Sequence, residues 1–304
     1  MPIHLPPVSR RRFLAGSAAA VAGGLSARWS WADPPRIDPH FFALISDTHV
    51  AADPKESNKC VTMTENFRRV SDEIVALEVK PAATMVNGDC AYLHGLKEDY
   101  HQFARLLEPL RKDGPPLYLS MGNHDDREKF ADVLTAYRPE HPPVVGRFVS
   151  VIPGERANWF LLDSLRKTND TPGELGTAQC DWLAKALDAR ADKPAIVVCH
   201  HNPAFDAAHV NGGLIDTPAL FDVLRKRKQV KALVFGHTHN WHIGEQDGIH
   251  LVNLPPTAYL FAAGRPNGWV SAELHEDGMT LVLYPLDKNH PEGNKPRELK
   301  WRAA

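Results

Sequence analysis

The chain has 304 residues, 43% of them hydrophobic and 24% charged, with a formal net charge of −2. Its length suits one large domain or two small ones, and one is favoured. The slight acidic excess argues against a nucleic-acid polymer as partner, because such affinity rests on Lys and Arg neutralising phosphates.

At the N-terminus, Ser9-Arg10-Arg11-Arg12-Phe13-Leu14 resembles the twin-arginine export motif, with a serine, two arginines, one free position, Phe and Leu. Ala15 to Leu25 supplies the weakly apolar region that follows. It is shorter than the roughly 20 apolar residues of a membrane span. Ser30-Trp31-Ala32 offers a small-x-small cleavage site, so residues 1–32 read as a signal peptide and 33–304 as the mature domain, without a transmembrane anchor. The resemblance implies a periplasmic or otherwise exported protein, carried by the twin-arginine machinery and loaded with its cofactor before export. Cleavage would remove Arg10, Arg11, Arg12 and Arg28 and no acid, leaving the rest more acidic. Cys60, Cys90, Cys180 and Cys199 form no Cys-x-x-Cys pair and no zinc-ribbon spacing. An oxidising compartment permits a disulfide that the sequence does not assign. Cys90 and Cys199 each adjoin a polar cluster, where they read as packing beneath it.

Along the chain, short apolar runs end in polar clusters. Phe41 to Ile45 leads into Ser46-Asp47-Thr48-His49, Ala83 to Val86 into Asn87-Gly88-Asp89, and Leu117 to Leu119 into Met121-Gly122-Asn123-His124-Asp125. Ala195 to Val198 leads into Cys199-His200-His201-Asn202, and Ala232 to Phe235 into Gly236-His237-Thr238-His239. Segments 64–77, 98–110 and 177–189 carry apolar residues at helical spacing, as in Phe67, Val70, Ile74 and Leu77. Buried strands alternating with helices indicate an α/β fold, whose ligands gather beyond the strands' carboxyl ends. Segments 241–245, 249–253, 269–275 and 279–284 follow one another without a helix and predict antiparallel strands. The core is expected over about residues 41–284, with a polar tail from Pro285 onward. If extended geometry persists past Phe235, His237 and His239 point the same way, an arrangement that suits a metal.

Taken in order, Asp47-x-His49, Gly88-Asp89, Gly122-Asn123-His124-Asp125, His200 and Gly236-His237-x-His239 resemble the five motifs of the calcineurin-like metallophosphoesterase superfamily. The match spans roughly residues 41–259. The resemblance implies a four-layer α/β/β/α sandwich of two central mixed sheets flanked by helices. It also implies two divalent or trivalent metal ions, with Fe, Mn, Zn and Co all compatible with imidazole, carboxylate and amide ligands. Two cations about 3.5–4 Å apart can clamp a phosphoryl group and supply a hydroxide nucleophile. By the resemblance Asp89 bridges the ions, Asp47, His49 and His239 complete one site, and Asn123, His200 and His237 complete the other. His124 contacts the phosphate and protonates the leaving oxygen, and Asp125 orients the His124 ring. His200, directly after its strand, is preferred to His201 as ligand. His94 and His242 can rim the pocket or lie on the surface.

Gly122-Asn123-His124-Asp125-Asp126-Arg127 and Gly173-Glu174-Leu175-Gly176-x-x-Gln179-x-x-Trp182-Leu183 further resemble the class III cyclic-nucleotide phosphodiesterases. The expected substrate is therefore a small phosphodiester, such as a cyclic nucleotide or a glycerophosphodiester. Phosphomonoester hydrolysis on the same site and a non-catalytic scaffold are the alternatives. Gly88-Asp89-Cys90-Ala91-Tyr92 also satisfies the purple acid phosphatase pattern Gly-Asp-x-x-Tyr. Since His49 already fills the role that a tyrosinate would take, Tyr92 reads as pocket wall. Loops 51–59, 93–99 and 205–216 are expected to set specificity.

Overall fold

The computed structural model describes residues 36–303 apart from positions 139 and 207, so the export signal read in residues 1–32 lies outside the described residues. In chain order the elements are β1 (Arg36–Ser46), β2 (Ser57–Asn58), β3 (Val61–Thr62), α1 (Met63–Val75), β4 (Val79–Asn87), α2 (Lys97–Asp113) and β5 (Leu117–Ser120). Next come α3 (Arg127–Val133), β6 (Ser150–Ile152), β7 (Asn158–Leu161), α4 (Thr177–Asp188), β8 (Ala195–Val198), α5 (Thr217–Arg225) and β9 (Val230–Phe235). The remainder are β10 (His242–Gln246), β11 (Ile249–Asn253), β12 (Gly268–Leu274), β13 (Gly278–Pro285) and β14 (Pro296–Lys300).

Two six-stranded mixed sheets form the centre, ordered β14-β13-β12-β1-β4-β5 and β10-β11-β9-β8-β7-β6. The strands read as continuous apolar runs because both faces are covered. Phe42 and Leu44 of β1 point into the layer between the sheets, where they meet Trp159, Ile196, Val198 and Val234. Ala43 and Ile45, one residue out of phase, point the other way onto Phe67, Val70 and Ile74 of α1 and Phe103 and Leu107 of α2. The second sheet repeats this, with Val197 and Leu233 facing Leu183 and Leu187 of α4 and Leu220 and Leu224 of α5. The result is the four-layer α/β/β/α sandwich.

One expectation needs correction. Residues 296–300, read as part of a polar tail, form β14, which pairs with β13 at the edge of the first sheet and places Leu299 opposite Met279. Beyond it, the Arg302 guanidinium donates to the carbonyls of Leu224, Arg227, Val230 and Asp247. A solvated edge strand needs only one inward apolar residue, here Leu299, so its pattern shows no clear alternation. The late strands do form two antiparallel pairs, β10 with β11 and β12 with β13, but they lie in different sheets, and β11 runs parallel to β9.

Trp159 is fully buried between the sheets, its ring centroid 4.9 Å from that of Phe42. Truncating a large aromatic in a close-packed core costs about 3–5 kcal/mol through lost burial and the cavity left behind. Trp159→Ala should therefore lower the urea midpoint with the m-value unchanged. A loss of under about 1 kcal/mol would show that the inter-sheet layer can collapse around the gap.

Candidate metal centre

All five strands that carry polar clusters deliver them to one rim. The register sets Ser46 beside Asn87 and Asn87 beside Ser120, so β1, β4 and β5 end level. Val198 of β8 lies beside Val234 of β9 in the other sheet. Asn87 ties the two rims together. Its side-chain nitrogen donates to the Cys199 carbonyl at 3.0 Å, its side-chain oxygen accepts from the Ser120 hydroxyl at 2.9 Å, and its carbonyl accepts from His200 Nδ1 at 2.8 Å.

Three groups of donor atoms, each within 4.8 Å of one another, lie on this rim: Asp47 with His49 and His239, Asp89 with His200 and His237, and His49 with Asp89 and His124. Both carboxylates reach towards both histidine sets, Asp89 the more evenly: its Oδ2 lies 3.6 Å from His49 Nε2 and 3.3 Å from His200 Nε2, whereas Asp47 Oδ1 is 3.9 Å from His200 Nε2. His239 Nε2 is 3.4 Å from Asp47 Oδ1 and 3.0 Å from His49 Nε2. These donors face each other with little else to bind. His200 Nε2 and Asn123 Oδ1 are buried without a hydrogen-bond partner. Such atoms are rare in a folded interior, and grouped imidazole and carboxylate donors fit metal cations.

Carbonyls fix the rings. His200 Nδ1 donates to Asn87, His239 Nδ1 to Tyr259 at 2.6 Å and His237 Nε2 to Gly212 at 3.0 Å, which turns the opposite nitrogen of each ring towards the centre. His124 Nδ1 is held by the Leu93 carbonyl at 2.8 Å. Asp125, expected to orient that ring, is engaged elsewhere. Its carboxylate accepts the backbone N–H groups of Gly122, Cys90 and Ala91 and the Tyr100 hydroxyl, and so joins the Gly-Asp turn to the Gly-Asn-His-Asp turn.

His237 and His239 do not continue the strand. β9 ends at Phe235, and both histidines take left-handed backbone, with φ of 67° and 50°. They therefore splay, one towards each donor group. Asp47, His49 and Asp89 are also left-handed, with φ of 53°, 45° and 48°. For residues with a Cβ this conformation is costly, and its concentration at one site marks strain held for function. Glycines make room. A Cβ on Gly122 would lie 2.1 Å from Asp89 Oδ1, and one on Gly236 2.0 Å from Ser46 Oγ.

Charge sets the protonation. Burial opposes ionisation of Asp47, but His200 and His239 outweigh it and hold the carboxyl at about 2. Asp89 is likewise held well below its usual range, burial being outweighed chiefly by His200. Burial alone would lower His200, yet Asp89 and Asp47 raise it to about 10. Burial, only partly offset by Asp89, lowers His49 to about 3, and burial reinforced by His200 lowers His237 to about 4. The latter two are neutral near pH 7, the form that binds a metal.

His201 packs beside the His200 and His237 rings, 5.1 and 4.6 Å away between centroids, and shares a 2.8 Å hydrogen bond with Ser164. The Tyr92 hydroxyl accepts from Asn58 at 3.3 Å, and its ring packs with Ala51, Met63, Ala258 and Tyr259. Cys90 and Cys199 are buried beneath the rim, and burial raises both thiols, Cys199 to about 12. His94 is exposed on its loop, while His242 faces a groove with Glu292 and Arg297. Loops 93–99 and 205–216 reach the centre through Leu93 and Gly212. The bonds of Asn87 and the backbone carbonyls were not legible beforehand. Only the polar residue closing the apolar run 83–86 pointed to Asn87.

The profile of calcineurin-like phosphoesterases matches residues 42–241. A cAMP/cGMP dual specificity phosphodiesterase of Mycobacterium tuberculosis is 31% identical over 84% of this chain and 79% of its own. A 3′,5′-cyclic-nucleotide phosphodiesterase of Nostoc is 26% identical over 78% and 85%, and the 3′,5′-cyclic adenosine monophosphate phosphodiesterase CpdA of Pseudomonas aeruginosa 27% over 77% and 85%. Among solved structures, a dimetal phosphatase of Danio rerio superposes with a TM-score of 0.67 at 15% identity, covering 89% of this chain and all of that one. A purple acid phosphatase of yellow lupin gives 0.59 at 14% identity, covering 86% of this chain and 53% of that one. Fold and site thus define a metal-dependent phosphoric ester hydrolase. The chain belongs to the calcineurin-like phosphoesterase family.

Since Asp89 faces both histidine sets, Asp89→Ala should lose two ions per chain, whereas Asn123→Ala should weaken chiefly one. Metal analysis after dialysis checks this. Two tightly held ions in Asp89→Ala would remove the bridging assignment.

Proposed function

We propose that this chain is an exported dinuclear phosphodiesterase acting on small phosphodiesters, with 3′,5′-cyclic nucleotides as the favoured class. The observation that carries the chemistry is the placing of Asp89, which stands with His200 and His237 on one side and with His49 and His124 on the other. The relatives named above support the substrate class. In this reading Asp47, His49, His239 and Asp89 hold one ion, and Asn123, His200, His237 and Asp89 the other. When bound, two cations polarise the phosphoryl oxygens and lower the pKa of water to supply the nucleophile. The chain's own part follows from its charges and geometry. Only two carboxylates stand among these seven ligands, so two divalent ions leave a positive surplus that draws in a phosphate anion. His124, with Nδ1 committed to the Leu93 carbonyl, presents Nε2 to the substrate and as imidazolium gives its proton there to the leaving oxygen.

The test compares leaving groups. A nitrophenolate departs readily as an anion, whereas the alkoxide of a nucleotide needs a proton. General acid catalysis contributes about 10²–10⁴-fold, so His124→Ala should slow a cyclic nucleotide by that order and a nitrophenyl phosphodiester far less, with metal content unchanged. Equal losses would limit His124 to binding the phosphate. Turnover of phosphomonoesters but not diesters by the wild type would overturn the substrate class.

Export rests on the paired arginines of the N-terminal motif. Lys does not reproduce the planar fork of Arg, so Arg10→Lys with Arg11→Lys should leave the precursor in the cytoplasm on cell fractionation. Undiminished export of the double variant would refute the twin-arginine route.

A further inference from the structure

Two stretches that resemble the cyclic-nucleotide branch, residues 122–127 and 173–183, contribute only Asn123 and His124 to the reaction proposed above. Arg127 of the first stretch and Gln179 of the second converge on a single buried residue. Asp163, just past β7, is fully buried, and its carboxylate meets the Arg127 fork in two parallel bonds, Nε to Oδ2 at 2.7 Å and Nη2 to Oδ1 at 2.8 Å. The same two oxygens accept the backbone N–H groups of Phe148 and Leu165, so every side of the carboxylate is used. Gln179 grips the Asp163 backbone from α4, its Oε1 accepting the Asp163 N–H at 2.8 Å and its Nε2 donating to the Asp163 carbonyl at 2.9 Å.

From this anchor the chain runs directly onto the catalytic turn. Ser164 bonds His201, beside the ligand His200. Arg127 and Arg147 both donate to the Leu165 carbonyl. Thr168 Oγ1 donates to the Asp125 carbonyl at 2.9 Å, and the Asn169 N–H donates to the Asn123 carbonyl at 2.6 Å. Asn169 takes left-handed backbone, with φ of 57°, to make that contact. Segment 163–169 thus bridges the turn that carries Asn123 and His124 to the turn that carries His200.

We infer that Asp163 is a positioning residue: held by Arg127 and Gln179, it fixes the backbone of Asn123 and His124, and with it the affinity of the ion bound by Asn123 and His200. Asp47, His49 and His239 lie outside this bridge, so the other ion is affected less, through Asp89 alone, whose Oδ1 accepts the His124 N–H at 2.9 Å. The inference rests on the reading of Asn123 as a ligand and His124 as proton donor. A bidentate pair aligns as well as attracts, so a partner that keeps the charge but loses the fork should do less.

The test titrates metal-stripped protein with Mn²⁺ by calorimetry and measures kcat and KM on a cyclic nucleotide. Wild-type protein must bind two ions, and fewer would sink the underlying reading whatever the variants do. Asp163→Asn turns one acceptor into a donor facing donors. It should weaken one of the two ions about tenfold, leave the other within twofold and lower kcat about tenfold with little change in KM. Arg127→Lys should fall between it and wild type. Thr168→Val, which deletes one hydrogen bond at a half-buried position, provides a folded variant should Asp163→Asn fail to fold, and should lower kcat several-fold with its melting temperature retained. Folded variants with both ion affinities and kcat within twofold of wild type would overturn the inference. Equal weakening of both ions alongside a lower melting temperature would also overturn it, by reducing Asp163 to a support of the fold.

Discussion

Asn87 stands where the two sheets meet, and its amide and carbonyl serve three other strand ends at once. The Ser46 and Ser120 hydroxyls bind it from β1 and β5, and the Cys199 carbonyl and His200 ring bind it from beyond β8. A buried amide is tolerated only when its hydrogen bonds are made, each worth about 1 kcal/mol when formed and about 1–3 when one partner is left alone. Full satisfaction of Asn87 therefore requires both sheets to hold one relative position. That position brings Asp89 of the first sheet within reach of His200 of the second.

The site built on this junction is rigid by several means. Left-handed backbone at Asp47, His49, Asp89, His237 and His239 gives each side chain a direction that no extended strand offers. Close glycines allow the turns to nest, and carbonyl partners settle which nitrogen of each ring faces the centre. Two carboxylates among several imidazoles keep the total negative charge low, which suits the capture of an anionic ester. Preorganisation of this sort lets the reacting groups meet without rearrangement at the moment of reaction.

Much of this was legible because the fold writes its active rim as a rule: an uninterrupted apolar run, then a polar cluster. The five clusters and the α/β class follow from that rule alone. What escaped depends on backbone atoms or on the exact end of an element. Any residue has a carbonyl, so nothing in the sequence marks Leu93 as the partner of His124, and the family resemblance points to Asp125 instead. The alternation of faces in a strand holds only while the strand lasts, and β9 stops before His237. Asp163 follows the same pattern as the other clusters in Trp159-Phe160-Leu161-Leu162-Asp163-Ser164, but this cluster holds no metal ligand and matches none of the five motifs. β14 was lost because an edge strand turns most of its side chains to water.

The strand order also carries a consequence for how the chain is made. β1 lies between β4 and β12, with Phe41 opposite Glu273 and Leu44 opposite Val270. A ribosome delivers β4 soon after β1 but β12 only after the whole second sheet, so during synthesis β1 waits with one ladder of N–H and C=O groups open. Non-local pairing of this kind is slow, and an open apolar edge invites association between nascent chains. The first sheet therefore closes after the second can already exist. Until Gly268–Leu274 is in place, the growing polypeptide needs shielding that the finished molecule does not.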